Sequence, residues 1–217
     1  MIEIGTRRRG RPRQAPEAQR REALLDAALA LFLDQGVEAT TVAQIAARAG
    51  IASGTVYLYV GSKEALVAAV RARFREAMAA EVERLVDGWA GSFAGLVDAL
   101  IDLTFDLHIA HRREIDLFHR QTPADAIRGV AESRRRYVAP LTGAIRWAAA
   151  RGEADVPGGD AEMLAYLLSG AIEESIYSCL TFGIPADAEA LRASARAMAQ
   201  KLLGPVAGPA ASAVGGA

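Results

Sequence analysis

Residues 40–63 read TTVAQIAARAGIASGTVYLYVGSK: two short helices about a tight turn, with a third helix starting behind them. Val42, Ile45, Ala46 and Ala49 fall at i, i+3, i+4 and i+7, so the apolar groups of a helix over 41–49 share one face that must be buried. Thr41 with Gln44 three residues on has the form of a capping box, and Gly50 supplies the positive φ that stops a helix and turns the chain. The second helix, over 53–59, is rich in hydrogen-bonding groups at Ser53, Thr55, Tyr57 and Tyr59. Two such helices crossing steeply at a glycine-bearing turn form a helix-turn-helix, whose second member lies in the DNA major groove.

The flanks extend the pattern. Upstream, 23–36 reads ALLDAALALFLDQG, and downstream Ser62-Lys63-Glu64-Ala65-Leu66 opens a long helix. With LFLDQG ending the first helix, TTVAQIAARAG forming the second, SGTVYLY the third and SKEAL the start of the fourth, the stretch 21–66 resembles the DNA-binding domain of the TetR family of one-component transcriptional regulators. The resemblance implies a three-helix DNA-binding domain followed by a helical ligand-binding and dimerisation domain, about nine helices in all. It implies phosphate contacts from Thr40 or Thr41, Tyr59 and Lys63, with helix N-termini as clamps. Thr55, Tyr57 and Leu58, with the backbone near Ser53 and Gly54, are implied to reach base edges. Leu58 offers only an apolar contact, such as one to a thymine methyl, so this helix is poor in bidentate readers of bases. Packing between helices is the alternative role for Tyr57 or Tyr59. Two positions depart from the family pattern: Ala52, where a capping Ser or Thr is common, and Val60, where an aromatic is common. Ser53 is expected to share the capping role, and Val60 to fill the small core less completely.

Composition agrees with a helical protein. The chain has 217 residues, 52% of them hydrophobic and rich in Ala, with no run of alternating β-branched residues to suggest a sheet. The fold class expected is all-α. No apolar run approaches the roughly 18–20 uncharged residues of a membrane span. The basic N-terminus leads into charged sequence, so no secretory signal is expected and the localisation expected is cytoplasmic and nucleoid-associated. The single cysteine, Cys179, excludes an internal disulfide and a cysteine-cluster metal site.

Net charge is −1, but residues 1–63 hold nine Lys or Arg against six Asp or Glu, so basic charge is loaded at the N-terminal end. Arg7, Arg8, Arg9, Arg11 and Arg13 lie among Gly10, Pro12 and Pro16, which prevent a regular helix. Such an arm suits insertion into a narrow minor groove, or equally a solvated tail adding nonspecific phosphate attraction.

The domains expected are a flexible basic arm at 1–16, a helix-turn-helix domain at 17–61, a C-terminal domain at 62–204 and a disordered tail at 205–217. Leu24, Ala28, Leu31 and Phe32 place the first helix beneath the DNA-reading pair, and Gly36 ends it. A helix over 62–88 carries the stripe Leu66, Val70, Phe74, Met78, Val82 and Leu85, with Arg71 and Arg75 off it. It acts as a lever between the domains. After a break at 87–92, helices are expected over 93–111, 112–120 and 124–151, the last kinked near Pro140, then over 160–182 and 186–203. The last two carry more apolar surface than one subunit can cover. In the resembled family this pair joins its symmetry mate in a four-helix bundle, so a homodimer through 160–203 is expected, with an inverted-repeat operator in double-stranded DNA.

The resembled family also implies a ligand cavity in the C-terminal domain, for a small hydrophobic or aromatic molecule. Phe105, His108, Phe118, Tyr137, Trp147, Tyr166, Glu173 and Tyr177 are candidate lining residues. His108, His111, Glu114 and His119 are close enough in sequence to ligate a metal, but Arg112 and Arg113 among them read as an exposed helix end, and no metal or cofactor is assigned. No phosphate-cradling glycine loop, nucleophile elbow or carboxylate pair is present, so an enzyme is not expected. A ligand-released repressor is the first reading, and an architectural DNA-binding protein or an activator without an effector the second.

Overall fold

The computed structural model describes residues 16–120 and 127–204. The arginines of the arm (Arg7, Arg8, Arg9, Arg11, Arg13) and the tail from residue 205 lie outside the described residues. Among those described the chain is all-α: α1 (Glu17–Ala39), α2 (Val42–Ala49), α3 (Ser53–Val60), α4 (Lys63–Asp87), α5 (Phe93–Ala110), α6 (Arg112–Arg120), α7 (Ile127–Ala150), α8 (Ala161–Phe182) and α9 (Ala188–Leu203), with one 3-10 turn at Pro157–Gly159. The chain divides into two compact units between Val70 and Arg71, inside α4. The sequence reading drew the boundary at Ser62. The difference arises because Leu66, Val67 and Val70, in the first turns of α4, are buried and group with the N-terminal unit.

In the N-terminal unit α1 packs on α2 and α2 on α3. Leu24, Leu25, Ala28 and Phe32 of α1, Ile45 and Ala46 of α2 and Val56 of α3 are buried, as the apolar stripe of each helix requires. Gly36 has φ 82° and ψ 162°, so the regular helix stops there and one further turn carries the chain to Ala39. The capping box forms: Thr41 Oγ1 accepts from Gln44 N at 3.2 Å, and Gln44 Oε1 accepts from Thr41 N at 2.8 Å. Gly50 closes α2 in the left-handed conformation at φ 69°. At the start of α3 the N-cap is Ala52 and no side chain caps the helix. Ser53 does not take that role, because it already lies inside the first turn.

In the C-terminal unit α5 packs against α6, α8 and α9, and α7 and α9 both lie against α8. The core includes Leu96, Ile101 and Phe105 of α5, Val138 and Ile145 of α7, Leu164 and Ile176 of α8 and Ala199 of α9. Pro140 lies inside α7, which is continuous from Ile127 to Ala150. Polar side chains fasten α9 to α5. Arg192 meets Asp106 at 3.0 Å and Asp102 at 3.6 Å, Arg196 pairs with Asp102, and Gln200 Nε2 donates to Asp98 at 3.1 Å and to the Ala94 carbonyl at 2.8 Å. Partners descend along α5 as they ascend along α9, so the two helices are antiparallel.

Truncating Ile145, which is fully buried, to Ala is expected to cost about 2–5 kcal/mol. Thr41→Ala is expected to cost about 1 kcal/mol through the lost cap. Urea unfolding followed by helical ellipticity and by unit-specific amide exchange checks both, and a Thr41→Ala protein as stable as the parent would contradict the capping account.

Candidate nucleic-acid interface and C-terminal cavity

One turn of α3 faces inward through Val56, and the opposite side is open. Tyr57 is 54% exposed and Leu58 85% exposed, while Ser53 and Gly54 are exposed and Thr55 and Tyr59 half-buried. A leucine left this bare on an eight-residue helix gains nothing from its own unit, and suits an outside partner. A Cβ on Gly54 would meet no atom within 4 Å, so no crowding inside the chain calls for glycine there. Glycine at such a place lets another molecule approach the backbone closely.

Around this helix the expected phosphate contacts fare differently. Thr40 is only 1% exposed, with its hydroxyl donating to the Gly36 carbonyl at 2.7 Å and accepting from Gln35 Nε2 at 3.2 Å. It locks the α1–α2 corner, which removes it from the phosphate contacts. Thr41 is exposed at the N-terminus of α2, where unpaired N–H groups favour an anion. Lys63 begins α4, and its Nζ donates to the Glu38 carbonyl at 3.3 Å. Ser62 Oγ accepts from Ala65 N at 3.1 Å, and backbone and Ser62 hydrogen bonds hold the Glu64 carboxyl below its ordinary pKa.

The C-terminal unit contains a cavity of about 460 Å³. Arg71, Phe74, Arg75 and Met78 of α4 form one wall, His108, Ile115, Phe118 and His119 come from α5 and α6, and Arg134, Tyr137, Gly170, Glu173 and Glu174 from α7 and α8 complete it. Arg134 donates to Glu173 at 2.8 Å, and Ser169 donates to the other oxygen of that carboxylate. His119 Nε2 lies 3.6 Å from Glu174, and its ring stacks on Tyr177 at 3.7 Å between centroids. His108 Nδ1 is 2.8 Å from the Thr104 carbonyl, so that nitrogen carries the hydrogen and donates. Burial pushes the His108 pKa down, opposed by that hydrogen bond and by Glu173. Burial and then Glu173 push the Tyr137 phenol up, which keeps it neutral.

Of the eight predicted lining residues, His108, Phe118, Tyr137 and Glu173 come together here. The other four are placed elsewhere. Phe105 is buried in the core beneath the Arg192 guanidinium, 4.9 Å from its ring centroid, and Tyr166 packs against the same core. Trp147 is 53% exposed, with Arg151 over its ring at 4.8 Å. Tyr177 is held behind His119, its hydroxyl 3.4 Å from Asp116. The sequence reading missed Arg71, Phe74, Arg75, Met78 and Arg134. It left Arg71 and Arg75 off the apolar stripe of the long helix, and Arg71 is buried; the signal available was their i, i+4 spacing beside Phe74 and Met78. The histidines keep separate partners, and the described residues contain no cluster of three or more metal-ligating side chains.

A capped helix, a glycine turn and an exposed second helix define a helix-turn-helix protein. Residues 24–70 match the family described as bacterial regulatory proteins, tetR family. That match covers the N-terminal helix-turn-helix, and the relatives similar to this chain over the same region are named as transcriptional regulators. It is 40% identical over 70 residues, 32% of this chain and 34% of the other, to the HTH-type transcriptional repressor KstR2 of Mycolicibacterium smegmatis. The chain spans between about a third and a half of the length of the KstR2 relatives it matches. Solved structures extend the likeness in fold to the C-terminal unit. A transcriptional regulator FadR from Bacillus subtilis, in complex with stearoyl-CoA, has a TM-score of 0.65 at 23% identity, over 82% of this chain and 96% of the other. A transcriptional regulator from Saccharomonospora viridis in complex with choline has a TM-score of 0.69 at 16% identity, over 87% and 99%.

Two outcomes are expected. Lys63→Ala weakens binding to every duplex alike and lowers the salt slope by about one, whereas Thr55→Ala or Tyr57→Phe changes which duplexes are preferred; titrations at several salt concentrations separate the two. Because the folded-state pKa of His108 is depressed, its contribution to stability is present above about pH 6.5 and is lost as pH falls through the folded value. His108→Gln is expected to flatten the fall in urea midpoint between about pH 7 and pH 5, and an unchanged slope contradicts this assignment.

Proposed function

We propose that this protein is a transcriptional repressor that binds an inverted-repeat operator as a homodimer and leaves the DNA when a small molecule fills the C-terminal cavity. The observation that carries the reading is the bare outer face of α3, Tyr57 and Leu58, mounted on a capped helix in a tetR-family domain. Thr41, Tyr59 and Lys63 then grip phosphates, and Thr55, Tyr57 and Leu58 meet base edges with Ser53 and Gly54 close to the duplex. The basic arm, with Arg7, Arg8, Arg9, Arg11 and Arg13, adds phosphate or minor-groove contacts.

Dimerisation follows from α8 and α9. Met163 and Leu167 on α8 and Met198 and Leu202 on α9 are exposed large apolar residues, Leu167 at 64%. Exposed Ala190, Ala193 and Ala197 leave room on α9 for a second copy to come close. A twofold axis through these helices presents the same patch on both subunits and sets two α3 helices against two half-sites. Ligand acts by binding one separation of the reading heads better than another. The coupling element is α4, one continuous helix that includes buried Leu66 and Val70 of the DNA-reading unit and Arg71, Phe74, Arg75 and Met78 of the cavity wall. No helix among the described residues is long and apolar enough to cross a membrane, and a cytoplasmic site of action on the nucleoid fits this reading.

Leu167→Asp tests the arrangement. It is expected to convert the protein to a 22.9 kDa monomer in sedimentation and to lower affinity for the inverted repeat by about 100-fold or more, because the second head no longer binds at high effective concentration. A monomer that binds the repeat as tightly as the parent contradicts the proposal.

A further inference from the structure

Resting on the ligand-responsive reading above, we propose that the C-terminal cavity selects a neutral, hydroxyl-bearing apolar molecule, whose O–H donates to His108 Nε2 and whose body lies against Phe74, Met78, Ile115 and Phe118. His108 lines the cavity and is only 6% exposed, so the protein fixes its ring. A neutral imidazole carries one N–H, and here Nδ1 holds it and donates to the Thr104 carbonyl of the same helix at 2.8 Å. The far nitrogen, Nε2, is left with a lone pair and can only accept. No hydrogen-bond donor among the described residues reaches it; Glu173 and His119 act on the ring through their charge alone. A nearly buried acceptor that meets a cavity where a donor would otherwise stand is satisfied by what enters that cavity.

The charges around the cavity are already answered by one another. Arg134 donates to one oxygen of Glu173 at 2.8 Å, and Ser169 donates to the other at 2.5 Å. Burial lowers the pKa of Arg75, and the same Glu173 carboxylate opposes that shift. Arg71 has a partner of its own, and His119 Nε2 stands 3.6 Å from the exposed Glu174. An anionic head would have to draw an arginine away from its partner, and a cationic head would have to displace Arg134 from Glu173; either breaks a pair already made. A neutral molecule disturbs none of them. For its body, the rings of Phe74 and Phe118 lie 5.5 Å apart between centroids, and with Met78 and Ile115 they form a wall that has no polar group to satisfy. The space of about 460 Å³ falls within the roughly 300–1,000 Å³ of small-molecule sites.

Calorimetric titration of the full chain with 4-propylphenol, 4-propylanisole and sodium 4-propylbenzoate tests this at about pH 7.5, where the phenol is neutral. The anisole keeps the ring and chain but has a methyl group in place of the hydroxyl hydrogen, and the benzoate carries a negative charge. 4-Propylphenol is expected to bind at least about tenfold more tightly than either. His108→Leu is expected to weaken 4-propylphenol by about tenfold while leaving 4-propylanisole within about twofold, which also shows that the variant retains its cavity. The inference is overturned if 4-propylphenol does not bind, if the anisole or the benzoate binds as tightly, or if His108→Leu leaves 4-propylphenol unaffected. Failure of the repressor reading shows differently: 4-propylphenol would bind as described, yet a duplex held by the protein would not be released.

Discussion

An eight-residue helix cannot hold its own shape in water, because the cost of nucleation is spread over too few hydrogen bonds. α3 is such a helix, and it also lacks a side-chain cap at Ala52. Its position therefore depends on the unit beneath it: Val56 buried inward, α2 fastened by the Thr41–Gln44 box, and Gly50 turning the chain between them. The same dependence leaves Tyr57 and Leu58 outside. A short helix supported on one side only has its other side free for a partner, and the proposed reading of DNA rests on that constraint more than on any single side chain.

The C-terminal unit solves the opposite problem. Its helices are long, and its core through Phe105, Ile145 and Ile176 is well buried, so it can tolerate a polar cavity at one flank. Arg192, Arg196 and Gln200 on α9, answering Asp106, Asp102 and Asp98 on α5, tie these helices with partly exposed groups whose desolvation cost is small. On α4 the balance differs, since Arg71 and Arg75 are drawn under cover beside each other.

Much of the fold was legible in local pattern. The capping box, the glycines at 36 and 50, the break after Asp87 and the separation of α8 from α9 near Gly183 are all signalled by residues within one turn of the event they cause. The exposed face of α3 was nearly as legible, and the burial of Thr40 was not, because it depends on Gly36 and Gln35 folding back across the corner. The cavity was half legible. His108, Phe118, Tyr137 and Glu173 attract notice as polar or aromatic residues on apolar helices, but whether such a residue lines a space or fills a core is decided by neighbours distant in sequence, as Phe105 under Arg192 shows. Arg71 and Arg75 stood only as residues off the apolar stripe, because helical periodicity records which side of α4 is apolar and not which side another helix will cover.

The measurement that tests the central claim most directly is selection of duplexes from a randomised pool by the full chain, followed by titration of the enriched duplex and of a scrambled control at two salt concentrations. The account predicts an inverted repeat with half-site centres roughly 34–36 Å apart, bound by two copies and preferred over the scrambled duplex by about 1,000-fold or more at both salts. Binding without an enriched repeat, with both duplexes losing affinity together as salt rises, would mean that phosphate attraction alone holds the DNA and that α3 does not read it.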